Sequence, residues 1–314
     1  MALIESQGGT LYGGTYPGGR LFSFNPGTGV VEDLGSPSPP ANHLYTLAAS
    51  PENRLYGSLH RPRGRIFCFD PETRTFLDLK VPVLGAFSGK CGKTTWANGR
   101  FYVTQRGHLV FFNSATGRVV DKGSLLLEGI RYLPMEVASD TKGNLLGFAG
   151  GRLFRYIPDS DEVRLSEVAL DGWLLRGPQG KLYTLFLDGR LFMWESDKDE
   201  LVEVARYAQI PLESGPLYTR YRFRGDLLCL AATGELLDAR SGIDDPSHTV
   251  IQVYRPDGSP PINLDNPVPR SLYLTSLTVA SDGKIYGMSV KTVYGLNRTP
   301  VHIYSLSLQD GRAK

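Results

Sequence analysis

Leu3–Gly14 reads LIESQGGTLYGG: a short apolar stretch, a polar turn around Gly8 and Gly9, and a second apolar stretch opening at Leu11. Apolar runs this short, bounded by Gly, Ser, Asn and Asp, read as two strands of a hairpin. The pattern returns as LAASPENRLYGS from Leu47, KTTWANGRFYVT from Lys93, VASDTKGNLLGF from Val137 and LLRGPQGKLYTL from Leu174. It returns again as YRFRGDLLCLAA from Tyr221 and LTVASDGKIYGM from Leu277. The first apolar residue of the second strand marks each unit: Leu11, Leu55, Phe101, Leu145, Leu182, Leu227 and Ile285, spaced 37 to 58 residues apart. A period of this size outranks any single motif, because it sets the whole architecture.

Each marker is followed by a third strand and a turn, as in RLFSFNPGTG, RIFCFDPETR, LVFFNSATG, RLFRYIPDSD, RLFMWESDKD, IQVYRPDG and IYSLSLQDG. A fourth strand follows in VVEDLG, TFLDLK, VVDKGS, VRLSEV, LVEVAR and PINLDN. Seven units of four strands predict an all-β, seven-bladed β-propeller of antiparallel blades in one domain spanning 1–314. The approximate blades are 2–40, 41–84, 85–128, 129–171, 172–212, 213–267 and 268–314. A blade is apolar on both faces and buries neither alone, so neighbours must stack around an axis. Phe22/Phe24, Phe67/Phe69, Phe154/Tyr156 and Phe192/Trp194 alternate along the third strands and are expected to fill the gaps between blades.

On these repeats the chain resembles the broad superfamily of seven-bladed repeat propellers that includes the YVTN, quinoprotein-like and gluconolactonase-like groups. The Gly-His and Trp-Asp marks of WD40 blades are absent. In unit six both GELLDARSG, from Gly234, and TVIQVYRPDG fit a third strand, so one of them is expected to belong to an insertion. The last unit ends at DGRAK, where a fourth strand should begin, and the ring is expected to close on a short last strand unless the chain has been trimmed.

Composition narrows the function. The chain of 314 residues is 41% hydrophobic and 21% charged, with a formal charge of +2. Such near-neutrality argues for neither nucleic acid nor a membrane as partner. The N-terminus lacks the basic and apolar regions of a signal peptide, and no run approaches the ~18 apolar residues of a membrane span, so a cytoplasmic protein is expected. Cys68, Cys91 and Cys229 have no metal-ligand spacing and read as buried thiols. SGKCGKTT is not a phosphate loop, since Phe87 stands where the first glycine is needed. No GxSxG elbow occurs.

In a propeller the first strands line a central channel. Loops from strand four to the next strand one, and from strand two to strand three, share the face where ligands bind in this architecture. A residue type that recurs at one repeat position serves the fold, whereas a polar residue that breaks the pattern needs another reason. Arg20, Arg65, Arg152 and Arg190, with His108 and His302, all open third strands and read as scaffold. The remaining loop residues are mostly donors and rings: Tyr16, His43, Tyr45, His60, Arg61, Arg106, Arg131, Tyr132, Arg220, Tyr221, Arg270 and Tyr273. A funnel lined this way suits a small anionic ligand such as a uronate carbohydrate, because Arg pairs bidentately with carboxylates and rings pack on sugar faces. The unit-six insertion GELLDARSGIDDPSH and the SVKTVYGLNRT segment of unit seven could form a lid or wall, and the acids Asp238, Asp244 and Asp245 could meet basic residues across the mouth or hold a divalent cation. No cofactor is otherwise indicated.

Two functions fit this list. Propeller polysaccharide lyases abstract a proton beside a uronate carboxylate, and the candidate site is similar in composition to theirs. On that reading His43 or His60 is the base, Tyr132 or Tyr221 the acid, and Arg61, Arg131, Arg220 and Arg270 clamp the carboxylate. Neutral His accepts a proton near its ordinary pKa of ~6.5. The alternative is a noncatalytic scaffold for a protein partner, since Tyr and Arg are equally the residues of interface hot spots.

Overall fold

A computed structural model describes residues 2–15, 18–39, 43–60, 65–79, 94–105, 108–127, 130–132, 134–149, 151–166, 172–177, 180–186, 188–207, 228–241, 249–264, 273–290, 301–306 and 308. They form a seven-bladed β-propeller. Blade one consists of Leu3–Glu5, Leu11–Gly14, Leu21–Asn25 and Val30–Gly35, and blade two of His43–Ala49, Leu55–His60, Arg65–Asp70 and Thr75–Asp78. Blade three is Thr94–Ala97, Arg100–Gln105, His108–Asn113 and Arg118–Asp121. Blade four is Pro134–Ser139, Leu145–Ala149, Arg152–Ile157 and Glu162–Leu165. Blade five is Gly172–Arg176, Leu182–Phe186, Arg190–Glu195 and Glu200–Arg206. Blade six is Leu228–Leu230, Leu236–Ser241, Thr249–Tyr254 and Ile262–Leu264. Blade seven contributes Tyr273–Val279, Ile285–Val290 and Val301–Leu306 among the described residues. Within each blade successive strands pair antiparallel, and the innermost strands touch their neighbours around a complete circuit.

The core is divided among the seams between blades. Strand residues alternate in direction, so consecutive apolar side chains feed opposite seams. Leu55 and Phe67 pack toward blade one with Tyr12, Leu21 and Leu44, while their neighbours Tyr56 and Cys68 pack toward blade three with Phe101 and Phe112. This is why the second and third strands read as continuous apolar runs rather than alternating ones. Fourth strands alternate or lie exposed, as in Thr75–Asp78 and Glu162–Leu165, because they face water at the rim. The third-strand aromatics are core as expected: Phe22, Phe67, Phe69, Phe154 and Tyr156 are buried, and Phe192 and Trp194 pack on the seam between blades four and five.

One close approach recurs. Gly13 pairs with Phe22 and Gly57 with Phe67. A methyl group added at Gly57 would stand 2.5 Å from the Phe67 ring and 2.9 Å from the Thr46 carbonyl. The absent side chain is what lets the ring lie across the strand.

The turns follow their chemistry. Asn25, Asp70 and Asn113 each accept two backbone N–H groups through Oδ1, forming Asx turns between strands three and four. These turns also reach back to the preceding blade: Arg74 to Glu32 at 2.8 Å, Asp161 to Lys122 at 2.5 Å, and Asp199 to Arg155. Lys122, with the Tyr156 hydroxyl, holds the Asp161 carboxyl below its ordinary range. The ring closes between blades seven and one by packing of Leu3, Leu11 and Phe22 against Ala280, Tyr286 and Met288. Glu5 spans that seam, accepting the Ser281 backbone N–H at 2.8 Å and its hydroxyl at 2.5 Å.

Three sequence expectations change. In blade six the marker is Leu236, not Leu227: Leu228–Leu230 is the first strand alone, Leu236–Ser241 the second and Thr249–Tyr254 the third. GELLDARSG is therefore a strand of the blade and not an insertion. The short apolar run LLCLAA had mimicked a second strand because burial on both faces erases the alternation that would separate strand one from strand two. Asp238 accordingly lies fully buried in the second strand, at 0% exposure, rather than in a lid. Asp244 and Asp245 fall outside the described residues. Finally, Leu125–Leu127 and Ile130–Tyr132 pair as a two-stranded ribbon between blades three and four, where a plain loop was expected.

Cys68 and Cys229 are buried, and desolvation pushes the Cys229 thiol up to about 12 and raises that of Cys68. Thiolate is the reactive form. In a Cys91→Ser variant the folded protein should show no fast-reacting thiol toward a disulfide reagent at pH 8, with both thiols titrating after denaturation. A fast-reacting thiol in the folded state would contradict this burial.

Candidate functional site

The scaffold assignment of the third-strand residues holds where partners are seen. Arg20 reaches Asp33 at 2.8 Å, Arg65 reaches Asp78 at 2.6 Å and His108 Nδ1 reaches Asp121 at 3.1 Å, each joining strand three to strand four. Arg190 pairs with Asp188 at 2.6 Å, in the turn that precedes its own strand. The arginine charges are neutralised within their blades, and His108 is held by the strand-four carboxylate.

The two ends of the ring differ in construction. At the lower end, strands one and two, and strands three and four, are joined by tight turns. At the upper end run the segments from strand two to three and from strand four to the next blade, and the candidate residues belong to these segments or to the strand ends beside them. His43 opens the inner strand of blade two and is the direct register partner of His60, which closes the second strand. Tyr45 occupies a bulge, where the register shifts between Leu44 and Thr46. The same irregularity recurs between Pro134 and Glu136 in blade four and between Leu274 and Ser276 in blade seven. Bulges re-aim side chains and end regular pairing, so the upper mouth is the irregular end of the inner strands.

Arg131 and Tyr132 lie on the ribbon, opposite Leu126 and Leu125, and Tyr273 opens the blade-seven inner strand opposite Val290. The structure thus gathers His43, Tyr45 and His60 on one inner hairpin, with Tyr273 on the inner strand two blades away. Tyr16, Arg61, Arg106, Arg220, Tyr221 and Arg270 lie outside the described residues.

Below the mouth the inner hairpins carry hydroxyls. Thr46 Oγ1 and Ser58 Oγ share a buried hydrogen bond of 2.7 Å across the blade-two hairpin. Thr95 Oγ1 and Ser139 Oγ share one of 2.9 Å between blades three and four, and Thr95 Oγ1 also accepts the Ser139 N–H at 3.1 Å. At the lower end Arg176 of blade five donates through Nη2 to the Ser139 carbonyl at 3.1 Å and hydroxyl at 3.3 Å, and through Nη1 to the Gly180 carbonyl at 3.0 Å. Desolvation pushes the Arg176 pKa down. Sequence reasoning passed over Arg176, although a signal existed. It ends an inner strand where most other blades carry Ala, Ser, Leu or Val. Among the described residues no group of three or more His, Cys, Asp or Glu could hold a metal ion. No helix there is long and apolar enough to cross a membrane.

This architecture is shared with known propellers. A protein from Lactobacillus plantarum superposes with a TM-score of 0.65 at 12% identity, covering 99% of this chain and 95% of that one. The β-propeller domain of Myceliophteria thermophila Cps50 (Swd1) gives 0.63 at 12% identity, covering 96% and 94%. A chain of a Mitotic Checkpoint Complex gives 0.58 at 14% identity, covering 91% and 82%. At these identities the likeness establishes the fold. No protein-family model matches the chain, and no curated protein matches its sequence. The chain is a seven-bladed β-propeller with WD40-like structural neighbours.

Proposed function

We propose that this protein is an interaction propeller that presents its upper face to an acidic partner protein. The observation that carries the reading is the contrast between the two ends. Below, tight turns carry acids that are tied to the preceding blade. Above, the segments between strands two and three and between blades carry Arg61, Arg106, Arg131, Arg220 and Arg270 together with tyrosines. Tyr and Arg anchor interfaces when desolvated, and a cationic rim steers acidic partners. A structural neighbour belonging to a Mitotic Checkpoint Complex supports the scaffold class, though not any particular partner. Fold alone does not settle function, and the charge contrast gives the reading its direction.

The second reading, a uronate-binding lyase, rests on the register pairing of His43 with His60 at the mouth. On that reading one of the two histidines serves as the base that takes the proton beside the carboxylate.

One experiment separates the readings. Fluorescent peptides of graded acidity and a panel of acidic glycans are titrated against the wild type, an Arg220→Glu/Arg270→Glu variant and an Arg118→Glu control on the blade-three outer strand. The expected result is saturable binding of acidic peptides that weakens with salt, falls at least about tenfold in the double variant and is unchanged in the control. Binding that survives the double variant, or that is lost in the control, would overturn the upper-face assignment. Growth of unsaturated-uronate absorbance, abolished by His43→Ala, would replace it with the lyase.

A further inference from the structure

We propose that the outer edge of Val301–Leu306, the third strand of blade seven, is a strand-addition site for an extended segment of a partner protein that carries apolar side chains at alternate positions. The inference does not rest on the upper-face reading, because it concerns the outer rim of the ring.

Val301–Leu306 pairs along its whole length with Ile285–Val290, and among the described residues no strand pairs with its other side. In blades one to six that side is taken by a fourth strand. The outermost strands of blades one to five carry charged residues, Glu32, Asp78, Arg118, Arg164 and Glu203 among them, as strands that end a sheet in water generally do. Val301–Leu306 has no Asp, Glu, Lys or Arg. Its composition is that of a covered strand.

A second observation comes from the neighbouring blade. Val31, on the fourth strand of blade one, is the register partner of Phe24, whose ring packs in the seam with blade seven beside Val301 and Ile303. Directly opposed residues share one face of a sheet, so Val31 faces blade seven. The residues at the same register position in blades two to five, Phe76, Val119, Val163 and Leu201, are all partly covered. Val31 is 52% exposed. The outer layer of the seam between blades seven and one is therefore open, with apolar side chains at its base and backbone donors and acceptors along one wall.

The depth of the opening selects its occupant. Both neighbouring blades carry one strand more, Ile262–Leu264 and Val30–Gly35, so the open edge is recessed behind them by one strand spacing, about 4.8 Å. A single extended segment enters such a recess, whereas the equally recessed edge of a second copy is held off by the flanking strands. Residues 309–314 lie outside the described residues, and their number is too small to line the whole edge. In blades one to five four residues separate the third strand from the fourth, and the last of them, Gly29, Arg74, Gly117, Asp161 or Asp199, has a positive φ. Leu306 is the register partner of the marker Ile285, as Phe24 is of Leu11. By the same spacing Gly311 ends the turn and Lys314 stands opposite Ser305, short of Ile303 and Val301. A partner segment opposite those two residues turns its side chains toward Val31 and Phe24, which favours Val, Ile or an aromatic ring there, while backbone hydrogen bonds hold the rest.

The test titrates a fluorescein-labelled peptide of alternating Thr and Val, flanked by lysines, against the full chain and follows hydrogen exchange in Val301–Leu306. Binding should be saturable, should slow exchange at alternate backbone N–H groups of that strand, and should vanish when the central peptide residues are replaced by proline. Val31→Lys, a change at an exposed position, should weaken it about tenfold. Leu77→Lys, at a 62% exposed position on the rim of blade two, should leave it unchanged. No saturable binding, or equal binding by the Val31→Lys variant, overturns the proposal. Protection of the same N–H groups in the protein alone overturns it too, assigning the edge to the C-terminal residues of this chain if the protein is monomeric and to a second copy if the protection rises with a dimer.

Discussion

Phe67→Ala should cost about 3–5 kcal/mol of folding stability, among the larger effects of any single truncation in this chain. Phe67 is 1% exposed and packs in the seam between blades one and two with Leu21, Leu44, Leu55 and Phe69. Its ring also lies across Gly57, so truncation opens a void that the glycine has no side chain to fill. The reciprocal change, Gly57→Ala, forces a methyl group against the ring and against the Thr46 carbonyl, and should cost about 1–3 kcal/mol by overpacking. Combining Gly57→Ala with Phe67→Leu should recover only part of that loss, because the backbone contact remains. At Gly13 the three atoms nearest an added methyl all belong to the Phe22 ring, so Gly13→Ala with Phe22→Leu should recover more. Chemical denaturation of the four single and two double variants reads the difference. Equal recovery at both sites would show that the backbone carbonyl is not the limiting contact.

Met288→Ala should cost about 2–5 kcal/mol and act differently in space. Met288 is 0% exposed in the seam between blades seven and one, where the ring joins its first blade to its last. Every other seam joins blades that are consecutive in the chain, so opening one of them leaves the partners tethered by the segment that directly joins them. Opening this one leaves only the long way round. Hydrogen exchange should therefore lose protection first in Leu3–Glu5 and Tyr273–Val279 together, with blades three to five protected at their wild-type level. Glu5→Gln should give a milder version of the same pattern, because it weakens the bonds to Ser281 without opening a cavity. Uniform loss of protection around the ring would mean that the seam has no separate stability.

The architecture was legible because a propeller repeats. The hairpin opened by LIESQGGTLYGG recurs as a polar turn, usually with Gly or Asn, followed by an apolar second strand and, in most units, third-strand aromatics, and the copies support one another. Blade six broke the reading at the one place where the repeat is irregular. Leu228–Leu230 and Leu236–Ser241 are both buried on both faces, so hydrophobicity could not tell first strand from second, and the pairing register decided it. The scaffold role of Arg20, Arg65 and His108 was legible for the same reason as the fold, since a residue repeated at equivalent positions meets an equivalent acid.

The candidate site was legible only in part. Sequence placed His43, Tyr45 and His60 near one another because they flank a single hairpin, but it could not show that the two histidines are direct partners or that Tyr45 sits in a bulge. It missed Arg176 altogether, because the partners of that side chain come from Ser139 in the neighbouring blade, thirty-seven positions away. Sequence by itself determined the strand periodicity, the blade count and which side chains must be buried, since these follow from local alternation and turn chemistry. Only the tertiary structure decided the register of blade six, the joining of the ring through Glu5 and Met288, and the hydrogen bonds of Arg176 to Ser139 of the neighbouring blade. Each of these depends on contacts between blades, whose energies are set by which surfaces meet when the ring closes.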